Sequence, residues 1–383
     1  MGNPVTVTRT VYREDHEMFR ATVRRFVERE CLPRQAEWDQ AGCVDRDTWL
    51  KAGREGLLCT SLPEEYGGGG GDFGHCAVLI EELASANISG PGFYLHSDII
   101  APYILRLGTD EQKRRWLPQC ASGECILAIA MSEPGAGSDL KAIRTTAVRQ
   151  GEEFLINGSK TFISNGLNCD LVVVVAKTDP AAGAKGVSLF LVEADRPGFK
   201  KGRKLAKIGQ NAADTTELFF DDVRVPETNL LGELNKGFIH LMQELAQERF
   251  IIAIGAASKM EAMLAETIRY TRERKIFGQT VFDFQNTKFK LAELKAKAAA
   301  MRIMVDHYLA EHLRRKLTLE EAAIAKLFTT ETLCAGLDDM LQMHGGYGYM
   351  MEYPIARAFV DARVSRIYGG TSEVMKELIS REL

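Results

Sequence analysis

The stretch Gly237–Gly278, GFIHLMQELAQERFIIAIGAASKMEAMLAETIRYTRERKIFG, decides how the rest of the chain is read. From Phe238 to Lys275 it holds no proline and one glycine, and apolar residues recur at three- and four-residue steps: Phe238, Leu241, Leu245, Ile252 and Ala256. That period predicts one long amphipathic helix. Three residues on from Leu245 and four before Ile252 stands Glu248, so a carboxylate falls in line with the apolar stripe. Loss of water disfavours the charged carboxylate and raises its pKa, which prepares a base for work near neutral pH. The same pattern also fits a carboxylate at the edge of the stripe, paired with Arg249 or with a cation from another helix.

With 383 residues the chain has room for two or three domains, or for one large domain with a substantial core. Its 45% hydrophobic and 26% charged residues are those of an ordinary soluble protein. A net charge of -4 and a pI near 6.1 exclude the basic footprint of a nucleic-acid binder. Eight cysteines are scattered without a CxxC pair, which predicts neither a disulfide framework nor a metal site and fits a reducing compartment. No run is apolar for long enough to span a membrane, and the first residues lack the apolar core of a secretory signal. The opening MGNPVT satisfies the myristoylation pattern, but so short a pattern often matches by chance. Without an Arg- and Ser-rich leader, the expected location is a bacterial cytoplasm, or the mitochondrial matrix for a processed form.

Residues 1–122 read as helices: around Met18–Val27 up to Pro33, around Trp49–Leu58, through HCAVLIEELASA, from Asp98 to Leu107, and through TDEQKRRWLPQC. Gly67–Gly71 mark a mobile surface loop; no GK[ST] follows that would make it a phosphate cradle. From 123 to 235 the texture is short β-rich runs: ILAIAM, FLINGSKTFIS as a hairpin turned at Asn157-Gly158, LVVVVAK, VSLFLVE and TELFF. With no long helix between them they are expected to pair antiparallel, as a small barrel or sandwich. From 236 to 383 helical periodicity returns in Phe284–His312, Thr318–His344, Ile355–Arg363 and a short helix from Ser372, which predicts an antiparallel bundle. The expected fold is thus an α+β multi-domain chain: N-terminal helical domain, central antiparallel β domain, C-terminal four-helix-type bundle.

Glycine-rich polar turns interrupt this frame at IAMSEPGAGSDL (129–140), QMHGGYGYMMEYP (342–354) and IYGGTSE (367–373). Glycine lets a ligand approach the backbone, and each turn alone is weak evidence. In this order, with EEYGG, FISNG, LFFDDVRVP, ERKIFGQ and IYGGTSEVMKELI, they closely resemble the acyl-CoA dehydrogenase family over nearly the whole chain. The resemblance is nearest to the long-chain type.

That resemblance implies an FAD between the β domain and the C-terminal bundle. Ile129, Ala130, Met131, Ser132, Gly137 and Ser138 would line the isoalloxazine, and Phe162, Ile163 and Ser164 would cover it. Arg274, Phe277 and Gln285 would reach the dinucleotide of a neighbouring subunit. Gln342, Met343, His344, Gly345, Gly346, Thr371, Ser372 and Glu373 would hold its pyrophosphate and adenosine, for which glycine backbone and arginine are chemically suited. Many members carry their base in a YEGT sequence, whereas this chain reads Tyr368-Gly369-Gly370-Thr371. Long-chain and isovaleryl-type members place it in an E-R pair on the helix opening the C-terminal domain, and Glu248-Arg249 matches. Glu248 is therefore the expected base, with Ser138, Gln247, Arg249, Tyr368, Gly369 and Gly370 around the substrate. Pro91 and Gly92 either leave room for a long or branched acyl tail at the cavity floor or simply form a turn.

The implied reaction is α,β-dehydrogenation of an acyl-CoA to a trans-2-enoyl-CoA in fatty acid β-oxidation. An electron-transfer flavoprotein would be the acceptor and a homotetramer the assembly. An oxidase handing electrons to oxygen is the alternative within flavin chemistry, disfavoured because such chains usually run longer. A non-catalytic acyl-CoA-binding scaffold is the alternative of another class, favoured by the missing YEGT carboxylate and opposed by Glu248.

Overall fold

The computed structural model describes residues 7–383, so the myristoylation pattern lies outside the described residues. The N-terminal part holds α1 (Glu14–Phe26), α2 (Gln35–Ala41), α3 (Arg46–Arg54), α4 (Phe73–Ser85), α5 (Ala101–Leu107) and α6 (Asp110–Ser122). A π-helical turn, Leu95–Ile100, runs directly into α5. Local chemistry sets these boundaries: Asp72 accepts from Gly74 N at the start of α4 at 2.8 Å, and Thr109 and Gln112 form a reciprocal capping box on α6.

Eight strands follow: β1 (Leu127–Ala130), β2 (Thr146–Gln150), β3 (Glu153–Ser164), β4 (Leu171–Lys177), β5 (Val187–Glu193), β6 (Phe199–Lys204), β7 (Thr215–Pro226) and β8 (Leu230–Leu231). They form one sheet in the order β6-β7-β3-β2-β4-β5-β8, with β1 on β4. The continuous apolar run of β4 is explained by burial of both faces. Leu171, Val173 and Val175 pack towards the N-terminal helices, while Val172, Val174 and Ala176 enter a second core on the opposite face.

Three expectations are corrected. The sheet is not wholly antiparallel, because β1 runs parallel to β4 from Leu127↔Leu171 to Ala130↔Val174. Asn157-Gly158 does not turn a hairpin: β3 continues through it, with a register irregularity against β7 between Ile156 and Gly158. A left-handed turn residue was required at Asn157, and its backbone is not left-handed; its side chain instead bonds Asp222 at 2.9 Å. The loop Gly67–Gly71 is tied down, with the N–H groups of Gly68, Gly70 and Gly71 donating to Pro63 O, Leu62 O and Thr60 O.

The C-terminal part holds α7 (Gly237–Glu273), a two-strand ribbon β9 (Lys275–Ile276) and β10 (Gln279–Thr280), α8 (Gln285–Leu313), α9 (Leu319–His344), α10 (Pro354–Ala362) and α11 (Ser372–Ser380). One apolar core is shared by α4, α7, α8, α9 and α10, through residues such as Phe73, Phe250, Met260, Leu294, Met301, Leu337 and Ile355. Beside it lies a charged cluster: Glu81, 3% exposed, receives Arg9 at 2.7 Å, Arg20 at 2.9 Å and Arg302 at 2.9 Å. These cations, after the opposing cost of burial, hold Glu81 down at about 2. The cluster ties the N-terminal segment and α1 to α4 and α8.

Removing the buried anion takes one acid from three cations that keep Asp306, Glu82 and Glu261, so Glu81→Gln is expected to cost about 1–3 kcal/mol. The exposed Glu17→Gln should cost under about 1 kcal/mol. Denaturant titration of the two variants checks the contrast.

Candidate active site

Glu248 lies on α7 and is buried. Its partner is Tyr103 of α5, whose hydroxyl donates to Oε1 at 2.9 Å; Arg249 does not pair with it. Burial pushes the Glu248 carboxyl up to about 7; the Tyr103 hydrogen bond opposes the rise, and the nearby charge of Glu244 adds to it. Glu244, one turn earlier on the same face, is neutralised by Arg106 of α5 through bonds of 2.6 and 2.8 Å. The first turns of α7 therefore carry two acids, one in an ion pair and one held by a neutral donor.

At the passage from the π-helical turn into α5, where Pro102 contributes no N–H, the Gln247 side-chain amide donates to the Asp98 carbonyl. The other end of the Gln247 amide meets His312 of α8 at 3.0 Å. Both ends of an expected substrate contact are thus engaged within the protein.

The turn Tyr368-Gly369-Gly370 packs against α7 at Arg249 and Ile252. Gly369 (φ 61) and Gly370 (φ 96) are left-handed, and a Cβ on Gly369 would lie 2.6 Å from Ile252 Cδ1, one helical turn beyond Glu248. Arg249 Nε donates to Gly369 O at 3.4 Å, and Lys326 of α9 donates to Gly370 O. Among the described residues, the N–H groups of Gly369 and Gly370 have no main-chain acceptor. Lys326 is 1% exposed and brought down to about 8 by burial and then by Arg249. Arg249 Nη1 is buried without a partner. Two cations with no acid between them thus hold successive carbonyls of a turn whose amides are free.

A second group forms on the sheet. Thr161 N donates to Ser132 O at 2.9 Å, which joins the Ile129–Ser138 segment to the Phe162–Ser164 segment. Lys160, fully buried, bonds Met131 O at 3.1 Å and Glu133 at 2.8 Å, and Glu133 also receives Arg144 N and Thr145 N. On this base Phe162 stands 71% exposed in a left-handed conformation, φ 58, and Gly137 of the joined segment has open space where a Cβ would be.

A third group collects at the far end of α7. Arg274 lies over the Tyr347 ring at 5.4 Å, Tyr270 stacks on His344 at 4.2 Å, and its hydroxyl donates to His344 O. Gly345 and Gly346 are open. Phe277 (φ 49) heads the two-residue turn between β9 and β10 and is 95% exposed. Gln285 starts α8 nearby, Gln342 is exposed and Met343 packs on the bundle. Thr371 caps α11, accepting from Val374 N, Glu373 is exposed and Ser372 bonds Glu331. Pro91 is buried, and Gly92 packs against the Asn165 side chain while its carbonyl accepts from His96 N at 3.0 Å.

Three family models match in series: the acyl-CoA dehydrogenase N-terminal domain over residues 13–124, its middle domain over 128–223 and its C-terminal domain over 235–383. The chain belongs to the acyl-CoA dehydrogenase family. A long-chain specific acyl-CoA dehydrogenase, mitochondrial, of Sus scrofa is 52% identical over 377 residues, covering 98% of this chain and 88% of that one. The crystal structure of an acyl-CoA dehydrogenase from Geobacillus kaustophilus superposes with TM-score 0.96 at 48% identity, covering 98% and 99% of the two chains. A glutaryl-CoA dehydrogenase from Mycobacterium smegmatis in complex with FADH2 superposes with TM-score 0.91 at 28% identity, covering 100% and 98%. Acyl-CoA dehydrogenases are FAD-dependent flavoprotein oxidoreductases.

Tyr103, Lys326, Lys160 and Asp98 escaped the sequence reading. Proline at 102 could have pointed to a helix with a free carbonyl at Asp98; the lysines sit at helix and strand positions with no local mark.

Because the folded pKa of Glu248 lies near 7 against 4.5 for the free side chain, the parent loses stability as pH rises through that window. Glu248→Gln, which cannot ionise, is expected to gain in Tm over the parent between about pH 5 and about pH 8. Thermal melts at the two pH values check the sign.

Proposed function

We propose that this acyl-CoA dehydrogenase family member converts long-chain or branched acyl-CoA thioesters to trans-2-enoyl-CoA, with Glu248 as the base. The observation that carries the reading is the buried Glu248 carboxyl, held by the Tyr103 hydroxyl and standing one helical turn before Ile252, which meets the Gly369-Gly370 turn. The 52% identity to a protein named for long-chain substrates favours chain length over a short-chain alternative.

The residues present suit an FAD. Phe162 and Phe277 are exposed aromatics in left-handed backbone, a costly combination that burial in this chain does not reward. Beside them, open glycines leave backbone accessible and Arg274 supplies a cation. Ile129–Ser138 with Phe162–Ser164 would take the ring system and Arg274, Phe277, Gln285 and Gln342–Gly346 the phosphates and adenosine, while Thr371–Glu373, next to the Gly369-Gly370 turn, would serve the cofactor at the Glu248 end of α7. Bound there, FAD supplies the acceptor for the β-hydride.

This chain's own groups handle the proton and the charge. Glu248, poised near neutrality, takes the α-proton; Tyr103 fixes which oxygen faces outward. The free amide of Gly369 donates to the thioester oxygen as enolate charge grows there. Arg249 and Lys326, clamping the adjacent carbonyls, keep those peptide planes from turning and add positive potential. Tyr368 and Ser138 would flank the thioester.

Arg274 stands 26 residues along α7 from Glu248, about 39 Å of helix. That distance favours Arg274 and its companions serving the cofactor of a neighbouring subunit, in a homotetramer. An electron-transfer flavoprotein is the proposed acceptor.

The deciding experiment is a panel of straight and branched acyl-CoAs with a dye acceptor, run beside reoxidation in air. A colourless protein that takes up no FAD, or rapid reoxidation by oxygen, would overturn the reading in favour of a scaffold or an oxidase. Glu248→Gln should retain FAD and lose about 10²–10⁴ in turnover; activity within a few-fold of the parent would put the base elsewhere. Removing the Tyr103 hydroxyl takes away a bond that favours the ionised base, so Tyr103→Phe should move the rising limb of the pH–rate profile to higher pH. Glu244→Gln removes a repelling charge and should move that limb lower.

A further inference from the structure

Asp98 is the unexplained polar group of this region. It is 1% exposed, and neither carboxyl oxygen has a hydrogen-bond partner. Burial pushes its pKa up to about 7; the Cys76 thiol of α4 offsets part of that rise without forming a hydrogen bond of good geometry. A buried carboxyl with two idle oxygens is a standing cost, and native structures satisfy such groups with rare exceptions.

Its position ties it to the proposed acyl site. Asp98 belongs to the π-helical turn that continues into α5, five residues before Tyr103, whose hydroxyl holds Glu248. Its own carbonyl is held by Gln247, the residue next to Glu248. It is thus fixed with its side chain beside Cys76 of α4 and its carbonyl on Gln247 of α7, and π-turns recur at functional positions.

We infer that Asp98 is a specificity-determining residue that hydrogen-bonds a hydroxyl carried on the acyl chain of the substrate. The inference rests on the acyl-thioester reading above. A buried carboxyl with both oxygens unpartnered offers, in its protonated form, one donor and free acceptor positions, which a hydroxyl can use together. An ammonium on the chain would instead create a buried ion pair, and among the described residues no further donor reaches Asp98 to complete it. An unsubstituted chain would leave both oxygens idle.

The test uses the FAD-loaded enzyme with hexadecanoyl-CoA and a series of hydroxyhexadecanoyl-CoAs, the hydroxyl moved stepwise from beyond the reacting carbons to the chain end. The parent should favour at least one hydroxy isomer over the plain chain by about tenfold in kcat/KM, the scale of one buried hydrogen bond. The preference should reside in KM. Asp98→Leu should abolish it while using the plain chain at least as well as the parent, and the near-isosteric Asp98→Asn should keep part of it. A parent that oxidises the plain chain but prefers no hydroxy isomer overturns this inference and leaves the dehydrogenase reading standing. So does an Asp98→Leu variant whose losses are equal on both substrates. A flavin-loaded parent that oxidises neither overturns the underlying reading and this inference with it.

Discussion

The desolvation of one carboxylate governs this structure. Glu248 is removed from water where α5 meets α7, and a phenol, not a cation, holds it there. A cation would have stabilised the charged form and kept the pKa low; a neutral donor lets burial dominate, so the group titrates near pH 7. The neighbouring acid Glu244 has the opposite arrangement, compensated by Arg106. Burial raises both carboxyls, and the two acids one helical turn apart differ in what opposes that rise, a phenol for Glu248 and a guanidinium for Glu244.

Around that carboxylate, the protein spends its buried charges on holding backbone in place. Lys326 and Arg249 each hold a carbonyl of the Gly369-Gly370 turn. Lys160 and Glu133 fix the segment that ends β1 against β3. In both cases a buried lysine holds a main-chain carbonyl of a glycine-containing segment. This is economical where a ligand must approach the main chain closely, because no side chain then competes for the space.

Proline chemistry links these parts. Where Pro102 brings no N–H, the Asp98 carbonyl takes the Gln247 amide and through it meets His312. The π-helical turn, the early part of α7 and α8 are joined by that one amide. Tyr103 follows on α5, where it meets Glu248, and the Asp98 carboxyl stays unused.

Much of this was legible along the chain. The period of Phe238, Leu241, Leu245, Ile252 and Ala256 defined the long helix and marked Glu248 as an acid in an apolar stripe, because helical geometry alone decides which residues share a face. The helix-β-helix order, the doubly buried β4 and the capping box at Thr318 were equally local. The motifs fixed the family. Other features depended on pairings between distant segments: the parallel match of β1 with β4, the continuation of β3 through Asn157-Gly158, the committed amide of Gln247, and the choice of Tyr103 over Arg249 as the partner of Glu248. Sequence spacing states which side chains lie on one face of one element. Which element covers that face, and hence whether a buried acid meets a cation, a phenol or nothing, is settled only when the helices pack, since desolvation is a property of the assembled surroundings.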